Sequence, residues 1–116
     1  MVEQIQSSLD TTFHALAHET RRALLERLGE GPATISELAE PFTVTFFAIS
    51  KHLRVLEEAA LVERRIVGRE HRFELRPAPA EEAADWLRRQ TEFWNRSLDR
   101  LERMLASRRE ADKEKE

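Results

Sequence analysis

Apolar residues recur at helical spacing in five stretches of the chain, and in one further stretch the pattern turns strand-like. Leu9, Phe13 and Leu16 share one face over about residues 8–17, and Leu24, Leu25 and Leu28 share one over about residues 19–28, where Gly29 suits a helix stop. Ile35, Leu38 and Phe42 form the stripe of a short third helix that begins at Thr34. Glu37, three residues on, completes a T-x-x-E capping box. Thr45 is placed to cap a fourth helix, in which Ile49, Leu53 and Leu56 recur and Ala60 completes the stripe. That helix ends unusually, because Ala60 stands where glycine would serve a left-handed cap better. Residues 62–67 and 71–75 are short and rich in β-branched, aromatic and arginine residues, with Gly68 between them, which predicts a hairpin. Ile66, Phe73 and Leu75 are its expected inward residues, and Arg64, Arg65, Arg69 and Arg72 its expected surface. A last helix spans about residues 79–107, with Leu87, Trp94 and Leu101 recurring every seven residues. At 1.5 Å per residue it is about 42 Å long, more than so small a core covers, and a second copy of the chain is the natural cover.

The glycines and prolines all fall between these segments or at their ends, so the segmentation is self-consistent. The predicted fold is mainly α with a small β-hairpin: a winged helix-turn-helix of five helices plus a wing. In that arrangement the second helix of the motif enters the DNA major groove. Here it is the fourth helix, whose outward face carries Phe47, Ser50, Lys51, Arg54 and Glu58. Residues 1–106 are expected to form the DNA-binding domain with terminal dimerisation helices. Residues 107–116, almost all charged, are expected to form a disordered tail.

Composition adds exclusions. The 116 residues hold no cysteine, which removes disulfides, thiolate metal sites and cysteine nucleophiles. No apolar run approaches the roughly 18 residues of a membrane span and no signal-peptide pattern opens the chain, so a cytoplasmic protein is expected. The net charge of -3 is unlike a DNA binder, but its distribution is informative. Residues 46–76 carry seven Lys or Arg against five acids, whereas residues 1–45 carry three Arg against seven acids. The positive charge lies on the fourth helix and the hairpin.

The blocks FHALAHETRRALLERL, TISELAE, AISKHLRVLEEAALV, GREHRFEL and AADWL resemble the ArsR-type (arsenic-repressor-like) winged-helix transcription regulators, over roughly residues 9–105. The run from Ser50 to Glu57, SKHLRVLE, is the most specific part. The resemblance implies a homodimeric repressor of inverted-repeat operators, joined through its terminal helices, from the metal-independent branch. It places DNA contacts on Thr45, Phe46, Phe47, Ser50, Lys51 and Arg54 of the reading helix, and on Arg65, Arg69 and Arg72 of the hairpin. Thr34 and Ser36 open the supporting helix, where hydroxyls and N–H groups meet phosphate. Leu9, Phe13, Leu87, Trp94 and Leu101 are the expected dimer contacts. Two departures stand out. Positions 33–42, ATISELAEPF, lack the Cys-x-Cys of the metal-sensing branch and the last helix has no His, so no metal or cofactor is expected. Phe46-Phe47 replaces the smaller or polar residues usual at the start of the reading helix.

Other readings of the same residues are weaker. His14 and His18 have metal-ligand spacing, but the pair is expected to straddle a helix boundary. His52, beside the apolar stripe, is read as a packed, hydrogen-bonded residue. Trp86, Phe93 and Trp94 suit a core or a dimer seam better than an effector pocket. The carboxylates of the last helix alternate with arginines, as an ion-paired solvated face does. No phosphate loop, nucleophile elbow or metalloprotease motif is present, so an enzyme is not expected. The partners expected are double-stranded DNA and a second copy of the chain, with no membrane and any small-molecule effector left open. The rival is a winged helix used as a protein-docking or dimerisation module, which would suit the acidic net charge and the Phe46-Phe47 pair.

Overall fold

The computed structural model describes residues 2–114, with side chains from Ser8 onward. Five helices and three strands follow in the order α1 (Val2–Leu16), α2 (Glu19–Leu28), β1 (Ala33–Thr34), α3 (Ile35–Ala39), α4 (Phe46–Glu58), β2 (Val62–Val67), β3 (Glu70–Leu75) and α5 (Ala78–Glu114). Residues to Ala83 form one compact unit, and α5 from Ala84 onward forms a second. Two ends differ from the expected ones. α1 begins upstream of Ser8, and α5 continues through the charged segment as far as Glu114.

α2, α3 and α4 each start where a side chain accepts a backbone N–H that the helix itself leaves unpaired. His18 Nδ1 accepts from Thr20 N at 3.1 Å, Thr34 Oγ1 from Glu37 N at 3.2 Å and Thr45 Oγ1 from Ala48 N at 3.1 Å. The cap at His18 is extended (φ −137°), so α1 and α2 are separate helices and His14 and His18 lie on either side of the break. The core joins Ala15 of α1, Leu24 and Leu28 of α2, Leu38 of α3, Ile49, Leu53 and Leu56 of α4, and Phe73 of β3.

The sheet has one strand more than the hairpin read from the sequence. Ala33 and Thr34 pair with Phe73 and Arg72, giving an antiparallel order β1-β3-β2. At two residues β1 is too short to show an alternating pattern. The β2–β3 turn is the two-residue loop Gly68-Arg69, where Gly68 takes the positive φ (65°) that the first position of a II′ turn requires. Phe73 is fully buried and Leu75 packs against the core, as expected, but Ile66 is 65% exposed. Ile66 pairs with His71 on the same face as Phe73, but nearer the loop and beyond the reach of the core.

α4 ends in a Schellman motif. Ala60 N donates to Glu57 O at 2.9 Å and Leu61 N to Leu56 O at 3.0 Å, while Leu61 and Leu56 are both buried. This geometry needs a left-handed residue, and Ala60 adopts it with φ 58°. The substitution Ala60→Gly should raise stability by about 0.5–1 kcal/mol in urea unfolding, since a Cβ in that conformation costs roughly 1–2 kcal/mol and glycine's extra unfolded-state freedom offsets part of the gain.

Arg21, 8% exposed, ties three segments together. Its Nε donates to Ala15 O at 2.7 Å, its Nη2 to His14 O at 2.9 Å, and its Nη1 to His52 Nδ1 at 3.3 Å. Arg22 Nη1 donates to Leu16 O at 2.8 Å. Adjacent arginines thus satisfy the last carbonyls of α1, which the helix leaves open. The bond from Arg21 favours His52 with its proton on Nε2. Burial, then the neighbouring His18 ring at 4.3 Å and Arg21, hold its pKa below the usual histidine value. His52 is therefore a packed, bonded residue on the inner flank of α4. Arg21→Leu should cost about 1–3 kcal/mol in chemical denaturation, the cost of one unsatisfied buried group, because the buried Ala15 carbonyl loses the Arg21 donor while His14 O keeps Ala17 N at 3.2 Å.

Candidate nucleic-acid interface

The reading face is built by elimination. Ile49, Leu53 and Leu56 are fully buried, so the helical period turns Phe47, Ser50, Lys51 and Arg54 the other way. Phe47, Lys51 and Arg54 are exposed and Ser50 half-buried. Lys51 Nζ lies 4.8 Å from the centre of the Phe47 ring, an i,i+4 cation–π contact. Phe46 lies closer to the core side on the sequence pattern, yet it is 57% exposed, and Phe47 is 68% exposed. Position on the first turn explains this: the helix begins at Phe46, beyond the elements that cover Ile49.

Four residues expected to meet DNA, Thr34, Ser36, Phe46 and Arg69, line one open cleft of about 340 Å³, together with Ile35, Glu37, Glu70 and His71. The cleft joins the start of α3, the start of α4 and the tip of the β2–β3 ribbon. Both capping threonines already accept a backbone N–H, so toward a phosphate their hydroxyls are left as donors.

The ribbon's cations are less free than the sequence suggested. Arg65 and Arg72 face one another across the strands, a like-charge pair, and each is compensated separately. Arg65 pairs with Glu74 at 3.2 Å and Arg72 with Glu70 at 3.3 Å. Arg64 turns to the body: it bonds Glu57 Oε1 of α4 at 2.7 Å and lies over the buried Phe73 ring at 5.0 Å. Arg69, at the tip, makes no ion pair among the described residues. The carboxylates are the participants that sequence reasoning missed. Their signal was present in the strand alternation Glu70-x-Arg72-x-Glu74, which puts all three on one face.

The residues expected at a dimer seam divide. Leu9 is buried within the single chain and Phe13 half-buried, whereas Leu87, Trp94 and Leu101 of α5 are 47–60% exposed. Trp86, Phe93, Leu98, Met104 and Leu105 are exposed on the same helix. Among the described residues no cluster of three or more His, Asp or Glu has metal-holding geometry, and no helix is long and apolar enough to cross a membrane.

A helix-turn-helix domain family matches residues 16–65, which span α2, α3, α4 and the start of the ribbon. The chain is 38% identical over 100 residues to the HTH-type transcriptional regulator Rv2034 of Mycobacterium tuberculosis, covering 86% of this chain and 91% of that one. It is 27% identical to the transcriptional repressor SdpR of Bacillus subtilis over 68% of this chain and 88% of that one. An ArsR-like transcriptional regulator from Rhodococcus sp. RHA1 superposes with a TM-score of 0.74 at 35% identity, covering 85% of this chain and 93% of that one. The ArsR family transcriptional regulator RHA00566 superposes with a TM-score of 0.73 at 38% identity, over 78% and 93% of the two chains. With the capped reading helix, the basic ribbon and these likenesses together, the chain belongs to the ArsR-type winged helix-turn-helix transcriptional regulators, a DNA-binding family.

Proposed function

We propose that this protein is a homodimeric repressor that binds an inverted-repeat operator in the cytoplasm, without a catalytic step. The observation that carries the reading is the division of α4. Its Ile49–Leu53–Leu56 stripe is dry, and on the opposite side Lys51 and Arg54 are exposed and Ser50 half-buried. Lys51 and Arg54 have the chemistry for guanine edges and phosphates, and Ser50 for either. Thr34, Ser36 and Thr45 donate their hydroxyl hydrogens to DNA phosphates, Phe47 extends the reading face at its N-terminal end, and Phe46 lines the cleft beside it. Arg69, Arg65 and Arg72 meet phosphates beside it. A relative that bears the name repressor supports the direction of regulation. The exposed α5 stripe supports self-association.

The operator is found by selecting bound duplexes from a random pool with the full chain. Enrichment of an imperfect palindrome with half-sites about one helical turn (about 34 Å) apart is the expected result. On that operator Lys51→Ala with Arg54→Ala should weaken binding by about 1–3 kcal/mol per lost base contact while the melting temperature holds. Unchanged affinity in the folded double variant would remove α4 as the reading element. In the ribbon, Arg69→Ala should cost more affinity than Arg65→Ala or Arg72→Ala, since only Arg69 carries no carboxylate to give up. Equal losses would mean that the ion pairs do not restrain the flanking arginines.

Trp94→Ala combined with Leu101→Glu should convert a dimer to a monomer in sedimentation at micromolar concentration and abolish tight operator binding. Each large apolar side chain contributes about 1.5–3 kcal/mol when buried, and the monomer forfeits the second half-site. A wild-type monomer bound tightly to one half-site would refute the dimer mechanism.

A further inference from the structure

Phe46 and Phe47 are exposed, and the fold has no use for them where they stand. Both belong to the first turn of α4, yet neither is part of the core cluster. Exposed apolar side chains are ordinary when scattered, but two adjacent phenylalanines on a reading face need a reason. Their surroundings separate them. Phe46 lines the cleft between the start of α3 and the ribbon tip, among Thr34, Ser36 and Arg69. Phe47 lies instead on the side of Ser50 and Lys51, with the ammonium of Lys51 4.8 Å from its ring centre. That contact fixes the ring beside a cation, and the rest of the ring is left to whatever approaches the reading face.

Accepting that α4 reads the major groove, we propose that Phe47 is a specificity-determining residue that recognises the C5-methyl group of thymine in each half-site. The occupant follows from chemistry. In the major groove the base edges offer hydrogen-bond donors and acceptors, and the thymine methyl is their apolar feature. A phenyl ring has nothing to exchange with N7, O6, N6 or O4, but it gains by removing a methyl from water. Charge favours the same occupant. Lys51 beside the ring and Arg54 one turn further on suit a phosphate-lined groove. A hydrophobic protein partner would have to desolvate Lys51 in order to cover Phe47. Phe46, turned to the cleft, is assigned no base.

The test uses the selected operator with thymine replaced by deoxyuridine, one position at a time, then at the symmetry-related pair. Uracil keeps every hydrogen-bonding group and loses only the methyl. At one thymine per half-site the wild-type protein should lose about fourfold in affinity, and about fifteenfold when both half-sites are changed, the expectation for about one buried methyl at each. In Phe47→Ala the same replacement should cost nothing, whereas Phe46→Ala should keep the full discrimination. Because Phe47 is exposed, the variant should fold, and its melting curve checks this. Uracil tolerated at every position by the wild type would overturn the inference, as would a thymine preference that persists in Phe47→Ala. Neither result touches the reading of α4 as the DNA-binding element. That reading fails separately, if selection from the random pool enriches no sequence at all.

Discussion

Ile49, Leu53 and Leu56 must stay dry, and this constraint organises the first unit. These three residues pack into one cluster with α2, α3 and β3, so the reading helix is a central element of the core. Its outward face follows from its inward one: a helix that buries one stripe has no freedom in what it presents on the other. The coupling has a cost for variation. Lys51 and Arg54 are exposed and lie outside the core cluster, whereas their interleaved neighbours Ile49, Leu53 and Leu56 belong to it. On the proposed function, sequence preference and stability are carried by alternate positions of a single helix.

Polar joints fix what apolar packing leaves loose. Arg21 closes the end of α1 and touches His52 on α4, so two elements distant in sequence share one guanidinium. At the other end of α4, the Schellman turn sends the chain into β2 at a defined angle, with Leu61 folded back on Leu56. The ribbon is then held to the helix by Arg64, which bonds Glu57 and lies over Phe73. Helix and ribbon are fastened at both base and flank.

Most of this architecture was legible because period, caps and breakers agreed. Thr34 and Thr45 stood at the right distance before apolar stripes, and both cap as expected. Gly68 marks the turn, and the sequence itself shows the misfit of Ala60, whose φ is 58°. The misses share a physical cause: each depends on contacts that local pattern does not encode. β1 is a two-residue strand, defined only by its partner in β3. Ile66 has the correct parity for burial, but it lies toward the ribbon tip, outside the core cluster. Phe46, read toward the core side, follows the same logic, since exposure at a helix start depends on where the neighbouring elements stop. The upstream start of α1 was within reach, because Val2 and Ile5 extend the spacing of Leu9 in the sequence. The ion pairs of the ribbon were also within reach, because strand alternation alone places Glu70, Arg72 and Glu74 together.

Those ion pairs change what it means for the ribbon to bind a phosphate. The strands and turn hold four arginines against three glutamates, and Arg65 and Arg72 are already engaged. For them, on the proposed function, meeting DNA would be an exchange of one anion for another. The displaced carboxylates remain nearby as repelling charges. The ribbon thus resembles an ion exchanger whose resin is loaded with its own counterions. The dependence of affinity on salt counts the ions released from the duplex, and salt also loosens the internal pairs that compete with it. The slope would then record fewer charges than the number of arginines in contact, and a footprint deduced from it alone would make the interface appear smaller than it is.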